Sequence, residues 1–235
     1  MLQRPGVRRV MPPYLLSLTQ TDLDGQPVRW RKTSKWTTCL AKYPALVDAL
    51  VDESAQNGGR LRRQFVHAYA SADPVELFLA AMAWGLGTKG ARWRGHQTIL
   101  ASPPRDEISA IVDVVRSKGA EAGWTALMKT HKIPGLGYAF GTKLLYFAGY
   151  TAGLPGLKPL ILDANVLAAL HDASTGILAS DGVWRADYLA YLELAGEWSR
   201  EPAWPAGTPE LVEYGLFARG QELAALVNRR RNASA

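Results

Sequence analysis

The sequence predicts a mainly helical fold, and three observations carry that prediction. Apolar residues recur at intervals of three and four along most of the chain, the period of a helix with one buried face. Helix-start and helix-stop residues stand at the ends of several of those runs. Strand signals are few, and there is no internal repeat or low-complexity stretch. The stretch around which the rest is organised is Lys132–Asp172, KIPGLGYAFGTKLLYFAGYTAGLPGLKPLILDANVLAALHD. Between Lys132 and Lys158 it carries one charge, Lys143, and between Lys158 and Asp172 one more, Asp163. Isolated charges of opposite sign in strongly apolar sequence are costly unless paired or used.

Taken in order, residues 1–45 are rich in proline, threonine and basic residues. There RWRKTSKWTTCLAKYP interleaves Trp30, Trp36 and Tyr43 with Arg29, Arg31, Lys32, Lys35 and Lys42. Such a mixture suits nucleic-acid stacking, and it equally suits a strand or loop covering a core. A helical pattern runs from Ala45 to Asp52, QNGGR breaks it, and Arg60–Ala70 reads as a further helical segment. In SADPVELFLAAMAWGLG, Asp73 is placed to cap, Pro74 fits the first turn and Glu76 follows three residues after the cap, with Phe78, Leu79, Met82 and Ala83 forming the buried face. The basic, glycine-rich GLGTKGARWRG comes next. Its spacing is not that of a phosphate-binding P-loop; it either links two helices or brings Lys89, Arg92 and Trp93 to a nucleic acid.

Asp106–Lys118 is amphipathic through Ile108, Ile111, Val112 and Val115, and Gly119 is suited to end it. Glu121–His131 predicts a short helix with Trp124, Leu127 and Met128 inside, IPGLG a tight turn, and Tyr138–Tyr150 a long apolar helix. Asp163 then occupies the N-cap position before ANVLAALHD. Trp184–Trp198 and Pro209–Val227 complete the set, the second opening on Thr208-Pro209-Glu210. The expected organisation is an N-terminal basic and aromatic region, 1–72, packing on a helical core, 73–235.

With 48% hydrophobic and 20% charged residues the chain has the balance of a globular protein. The one long apolar run, near 133–157, is broken by glycine and proline, and the arginine-bearing N-terminus lacks a clean apolar core and cleavage site, so neither a membrane span nor a signal peptide is expected. A single cysteine, Cys39, excludes an internal disulfide framework and a cysteine-rich metal site. The expected location is the cytoplasm. A formal net charge of +6 favours a polyanionic partner, nucleic acid first. Arginines gather at Arg4, Arg8 and Arg9, at Arg60, Arg62 and Arg63, at Arg92 and Arg94, and at Arg229–Arg231, the last group reading as a solvated tail.

Helix, IPGLG, helix is the pattern of a helix-hairpin-helix. Its glycines let the backbone approach a phosphate, and the amides opening the second helix point toward it. Such a contact is independent of base sequence and sensitive to salt. On that second helix Lys143 has Phe140 three residues before it and Phe147 four after, so it lies on an apolar stripe. Burial favours the neutral amine, which is the nucleophilic form. Asp163 heads the next helix, where a fixed carboxylate could stabilise positive charge building on a sugar or accept a proton from an incoming nucleophile. Singly, the lysine reads as a snorkelling or paired side chain and the aspartate as a plain cap. Together, after a hairpin, they read as a site.

The order of hairpin, lysine, hydrophobic run and aspartate before a helix resembles the helix-hairpin-helix DNA glycosylase superfamily, and is most similar to bacterial proteins with the 8-oxoguanine DNA glycosylase fold. AWGLGTKGARW, PGLGYAFGTKLLYFAG, PLILDANVLAAL and EYGLFARGQEL carry the likeness, over about residues 74–223. The resemblance implies a bilobed helical bundle that flips a nucleotide from double-stranded DNA into a pocket. It implies Asp163 as the catalytic carboxylate, Lys143 as the amine that attacks the sugar C1′, and Gly135, Leu136, Gly137 and Tyr138 as the phosphate-gripping hairpin. It allows an alkali cation at the hairpin of residues 133–138 and calls for no organic cofactor. A monomer is expected.

In the best-known members the lysine follows directly on the glycine turn, where this chain has Ala139, and Lys143 comes one helical turn later. Two outcomes stay open: a Schiff base on Lys143 with abasic-site lyase activity, or a monofunctional enzyme in which water attacks. Trp84, Trp93, Tyr214 and Phe217 are candidate walls for an extruded base and equally candidate core residues. Eight tryptophans would suit a roomy, flat-walled pocket. The substrate is then an 8-oxoguanine-like lesion, or a hypermodified cytosine of phage DNA, for example a glucosylated one, removed in defence. The competing classes are a non-catalytic DNA-binding module and an abasic-site lyase.

Overall fold

The computed structural model of the protein describes residues 10–24, 26–89, 94–177 and 182–233. The chain is mainly helical. After a short 3-10 turn, Pro13–Ser17, it runs α1 (Gln20–Asp24), β1 (Pro27–Arg29), α2 (Ser34–Cys39), α3 (Pro44–Gln56), β2 (Arg60–Arg62), α4 (Arg63–His67) and α5 (Pro74–Leu86). It continues through α6 (Arg94–Ala101), α7 (Arg105–Thr125), α8 (Tyr138–Gly149), α9 (Ala164–Asp172), α10 (Arg185–Trp198) and α11 (Pro209–Ala233). The chain divides into two compact units, Asp24–Pro159, and Met1–Leu23 with Leu160–Ala235. Among the described residues no helix is long and apolar enough to cross a membrane.

In the unit Asp24–Pro159, α5 is the central helix. Asp73 caps it by accepting from the Val75 amide at 2.9 Å, and Pro74 opens its first turn. Every residue from Leu77 to Trp84 is buried, so the helix is enclosed on all sides and not on one face only. It stops at Gly87, whose φ of +56° is a conformation other residues avoid; a Cβ there would also stand 2.8 Å from the Arg29 carbonyl of β1. Arg60–Arg62, expected to be helical, is instead a strand. It pairs antiparallel with β1, Val28 opposite Leu61. The buried Glu53 of α3 fixes it by taking Arg62 Nε at 2.8 Å and Nη2 at 3.1 Å. A three-residue strand whose partner lies more than thirty positions earlier leaves no local periodicity to read.

Helix α7 is broken at Gly119, which has φ +82°, as its stop-signal position requires, and a π-helical turn, Ala126–Thr130, ends its second half. Helix α8 packs on this element through glycines. A Cβ on Gly149 would stand 2.7 Å from Val115 Cγ2, and one on Gly141 would overlap the Leu127 side chain. From Gly141 to Gly149 every residue of α8 is buried.

In the other unit, α9 and α10 pack on α11. Gly220 of α11 lets α9 come so close that a Cβ would overlap the backbone of Asn165. Gly215 does the same for the Leu15 side chain of the N-terminal turn, and the Trp204 indole donates to the Leu18 carbonyl at 3.2 Å. Helix α11 continues past Val227 to Ala233, and its last turns, including Arg229–Arg231, are exposed.

Candidate active site

The hairpin lies in the unit Asp24–Pro159. Pro134 and Gly135 form the corner of a tight turn closed by the Leu136 amide donating to the Ile133 carbonyl at 3.0 Å. Gly135 has φ +84°, the left-handed value a type II turn needs at that place. Ile133 and Leu136 are buried and anchor the turn, while Gly135 and Gly137 are exposed. Gly137 caps α8 without any side chain to occupy the first amides, and a Cβ built on it meets nothing within 4 Å. The first turn of a helix carries amides with no carbonyl behind them and the positive end of the dipole. The geometry is therefore that of an exposed, side-chain-free helix start open to an oxygen-bearing anion.

One turn along α8, Lys143 is 6% exposed. Its Nζ donates to the Ala139 carbonyl at 3.1 Å and sits 5.4 Å from the centre of the Phe140 ring. The aliphatic stem lies against Gly85 of α5, where a Cβ would stand 2.9 Å from Lys143 Cδ. His96 of α6 stacks edge-on against Phe140, ring centres 4.9 Å apart, and burial lowers its pKa, which favours the neutral ring at neutral pH. The His96 Nδ1 has no hydrogen-bond partner among the described residues.

Deeper in the same unit lies a polar group that the sequence did not announce. Arg63, 2% exposed, donates from Nε to Gln26 Oε1 at 2.8 Å and from Nη1 to the Tyr146 hydroxyl at 3.2 Å. Its guanidinium stands 5.5 Å from the centre of the Trp84 ring and 5.0 Å from that of Tyr146. His67 Nε2 meets the same hydroxyl at 2.9 Å. Burial, aided by the Arg63 charge, pulls the His67 pKa down to about 4, so its imidazole is neutral. Tyr146 follows Lys143 by three residues, and this network braces the helix that carries the lysine.

Asp163 belongs to the other unit. It is the N-cap of α9, its Oδ1 accepting from the Asn165 amide at 3.0 Å and the Val166 amide at 3.3 Å. The residues leading to it, Leu160, Ile161 and Leu162, lie outside any helix or strand and are buried. The Tyr188 hydroxyl of α10 donates to the Leu160 carbonyl at 3.0 Å and accepts from its amide at 3.3 Å, and the Tyr191 hydroxyl donates to the Ile161 carbonyl at 3.1 Å. The carboxylate is thus pinned from both sides of the chain, by a clamped lead-in and by the helix it caps.

A family model described as "Putative 8-oxoguanine DNA glycosylase OGG-like protein" matches residues 21–217. The chain belongs to that family. The match takes in the hairpin, Lys143 and Asp163 together. No curated protein and no solved structure matches the chain.

Within this OGG-like protein the remaining candidates fall in different surroundings. Trp84 is 3% exposed, with Phe147 edge-on at 5.5 Å and Arg63 over its ring. Tyr214 and Phe217 are half-buried on α11, three residues apart and so on one face. Lys89 ends a 3-10 turn, Gly87–Lys89; Arg92 and Trp93 lie outside the described residues, as do Arg4, Arg8 and Arg9. Lys143 and Asp163 fall in different units, the first with the hairpin and Trp84, the second with Tyr214 and Phe217. No group of three or more His, Cys, Asp or Glu side chains suited to a metal stands among the described residues. The hairpin of residues 133–138 carries no carboxylate, so a cation there would rest on main-chain oxygens, the ligand type that hard cations take.

Sequence reasoning missed Tyr188, Tyr191 and His67, and took Arg63 only as one member of a basic cluster. Mid-helix Gly220 was readable as a sign of close approach, since glycine weakens a helix interior unless packing demands it; Gly85, last but one in α5, stood where a helix end also accepts glycine.

Proposed function

We propose that this member of the OGG-like family is a DNA N-glycosylase that excises a damaged or modified base from duplex DNA and leaves an abasic site. The observation that carries the reading is the family match over 21–217, which spans a hairpin with an open, side-chain-free helix start and a capped, clamped carboxylate. The hairpin amides of residues 135–138 hold a phosphate beside the extruded nucleotide. Asp163 stabilises the positive charge that develops on the sugar as the base departs. Lys143, buried and braced, either attacks C1′ or orders the site while water attacks. The protein acts as a monomer on double-stranded DNA, in the cytoplasm.

An 8-oxoguanine lesion, named in the family's description, is the first substrate to try, and a glucosylated cytosine of phage DNA the second. The test incubates the protein with duplexes carrying each base, with and without borohydride, and identifies released bases by mass spectrometry. Base release from one of the duplexes supports the glycosylase. A borohydride-trapped complex that disappears in Lys143→Gln assigns the lysine as nucleophile, whereas release without trapping makes the enzyme monofunctional. Tight DNA binding with no release across the panel would leave only a DNA-binding module, and cleavage of abasic duplexes alone would make it a lyase.

A further inference from the structure

A buried stretch of backbone outside helices and sheets has to find partners for its amides and carbonyls. Among the described residues the one sheet joins Pro27–Arg29 to Arg60–Arg62, so Leu160–Leu162 has no neighbouring strand there. Two phenols stand in for it. Tyr188 serves both the amide and the carbonyl of Leu160, at 3.3 and 3.0 Å, and Tyr191 takes the Ile161 carbonyl at 3.1 Å. They are three residues apart on α10, hence on one face, and both are fully buried. Burial raises the Tyr188 pKa, which keeps its hydroxyl protonated and able to donate.

The next residue after this clamp and Leu162 is Asp163. On its far side the chain is fixed again, by the two cap bonds to Oδ1 and by the close seat of Asn165 against Gly220. Between two fixed points, the direction of the carboxylate depends on the backbone angles of the residues the tyrosines hold. We propose that Tyr188 and Tyr191 are positioning residues for the Asp163 carboxylate, acting through the backbone of Leu160 and Ile161 and not by touching substrate. The inference rests on the glycosylase reading above.

The test is single-turnover base excision by Tyr188→Phe, Tyr191→Phe and the double variant, with DNA affinity and the folded fraction measured at the assay temperature. Loss of the hydroxyls frees the lead-in segment, and displacement of a reacting group by about an ångström costs about a hundredfold in rate. The expected result is a roughly ten- to hundredfold slower excision step with unchanged DNA affinity, and no further slowing when Tyr191→Phe is added to Asp163→Asn. A purely structural role would lower the folded fraction and leave the rate per folded molecule as it was; that result overturns the proposal. Tyr191→Phe, the milder change because it leaves both Leu160 bonds in place, decides the matter if the double variant does not fold. If Asp163→Asn itself excises at the full rate, the glycosylase reading fails, and with it the role assigned to the tyrosines. If Asp163→Asn is inactive and the phenylalanine variants are fast, only the positioning role fails.

Discussion

Gly85 of α5 faces Lys143 of α8 with no room for a side chain between them: a Cβ on the glycine would stand 2.9 Å from the lysine Cδ and 3.1 Å from the Phe140 ring. The obstacle is a flexible stem, which can move. Alanine also favours a helix over glycine by about 1 kcal/mol, offsetting much of the crowding. Gly85→Ala should therefore change stability by no more than about 1 kcal/mol, read by urea denaturation. In the reading in which Lys143 is the nucleophile, the shifted amine should be trapped roughly tenfold more slowly by borohydride.

Gly220 is the opposite case, because its obstacle is backbone. A Cβ there overlaps Asn165 in the first turn of α9, and no rotamer relieves it. Gly220→Ala should destabilise the protein by about 1–3 kcal/mol despite the better helix former. The midpoint of urea unfolding checks this, and an unchanged or raised midpoint would show that α9 and α11 can separate without cost.

The two exposed hairpin glycines should respond differently to substitution. Gly135 has φ +84°, so Gly135→Ala should cost about 1–2 kcal/mol in stability. Gly137 has φ −82° and ψ 173°, which any residue adopts, and open space beyond it. Serine there is a natural helix cap, so Gly137→Ser should hold stability or raise it by a few tenths of a kcal/mol. Its side chain would stand where the proposed phosphate rests. The expected outcome is weaker duplex binding with a shallower dependence on salt, measured by titration at several ionic strengths.

His67 gives a pH dependence. Its folded pKa, about 4, lies below the ordinary 6.5 because burial disfavours the charged ring. Between those values the unfolded chain binds the proton and the folded one does not, so stability falls as pH drops from about 6.5 toward 4 and is level above. The full effect approaches about 3 kcal/mol. Urea titrations at pH 7 and pH 4.5 should show the loss, and His67→Asn, which removes the titrating ring, should remove this part of it.

Cap and stop chemistry is local, and it was legible. Asp73, Gly119 and Asp163 each stand where their neighbours in sequence place them, and the two isolated charges of the organising stretch could be found by inspection. The strand Arg60–Arg62 was not legible, because its partner is remote and three residues leave no period. Neither was the clamp on Leu160 and Ile161, since a phenol donating to a distant carbonyl leaves no pattern in either segment. Arg63 looked like one member of a basic cluster, yet it is buried against Gln26, Trp84 and Tyr146 while its neighbour Arg62 is half-exposed on Glu53. The expected boundary at 72/73 differs from the division of the packed units at 23/24 and 159/160, because packing brings Met1–Leu23 together with the remote Leu160–Ala235.

Asp163→Asn is the most direct test of the central claim. Asparagine caps a helix about as well as aspartate, so the fold, the Asn165 and Val166 cap bonds and duplex binding should persist while the negative charge is lost. Single-turnover excision on the duplex that the wild-type protein processes should fall by at least about a hundredfold with DNA affinity retained. Excision by a folded Asp163→Asn protein at the wild-type rate would contradict the account.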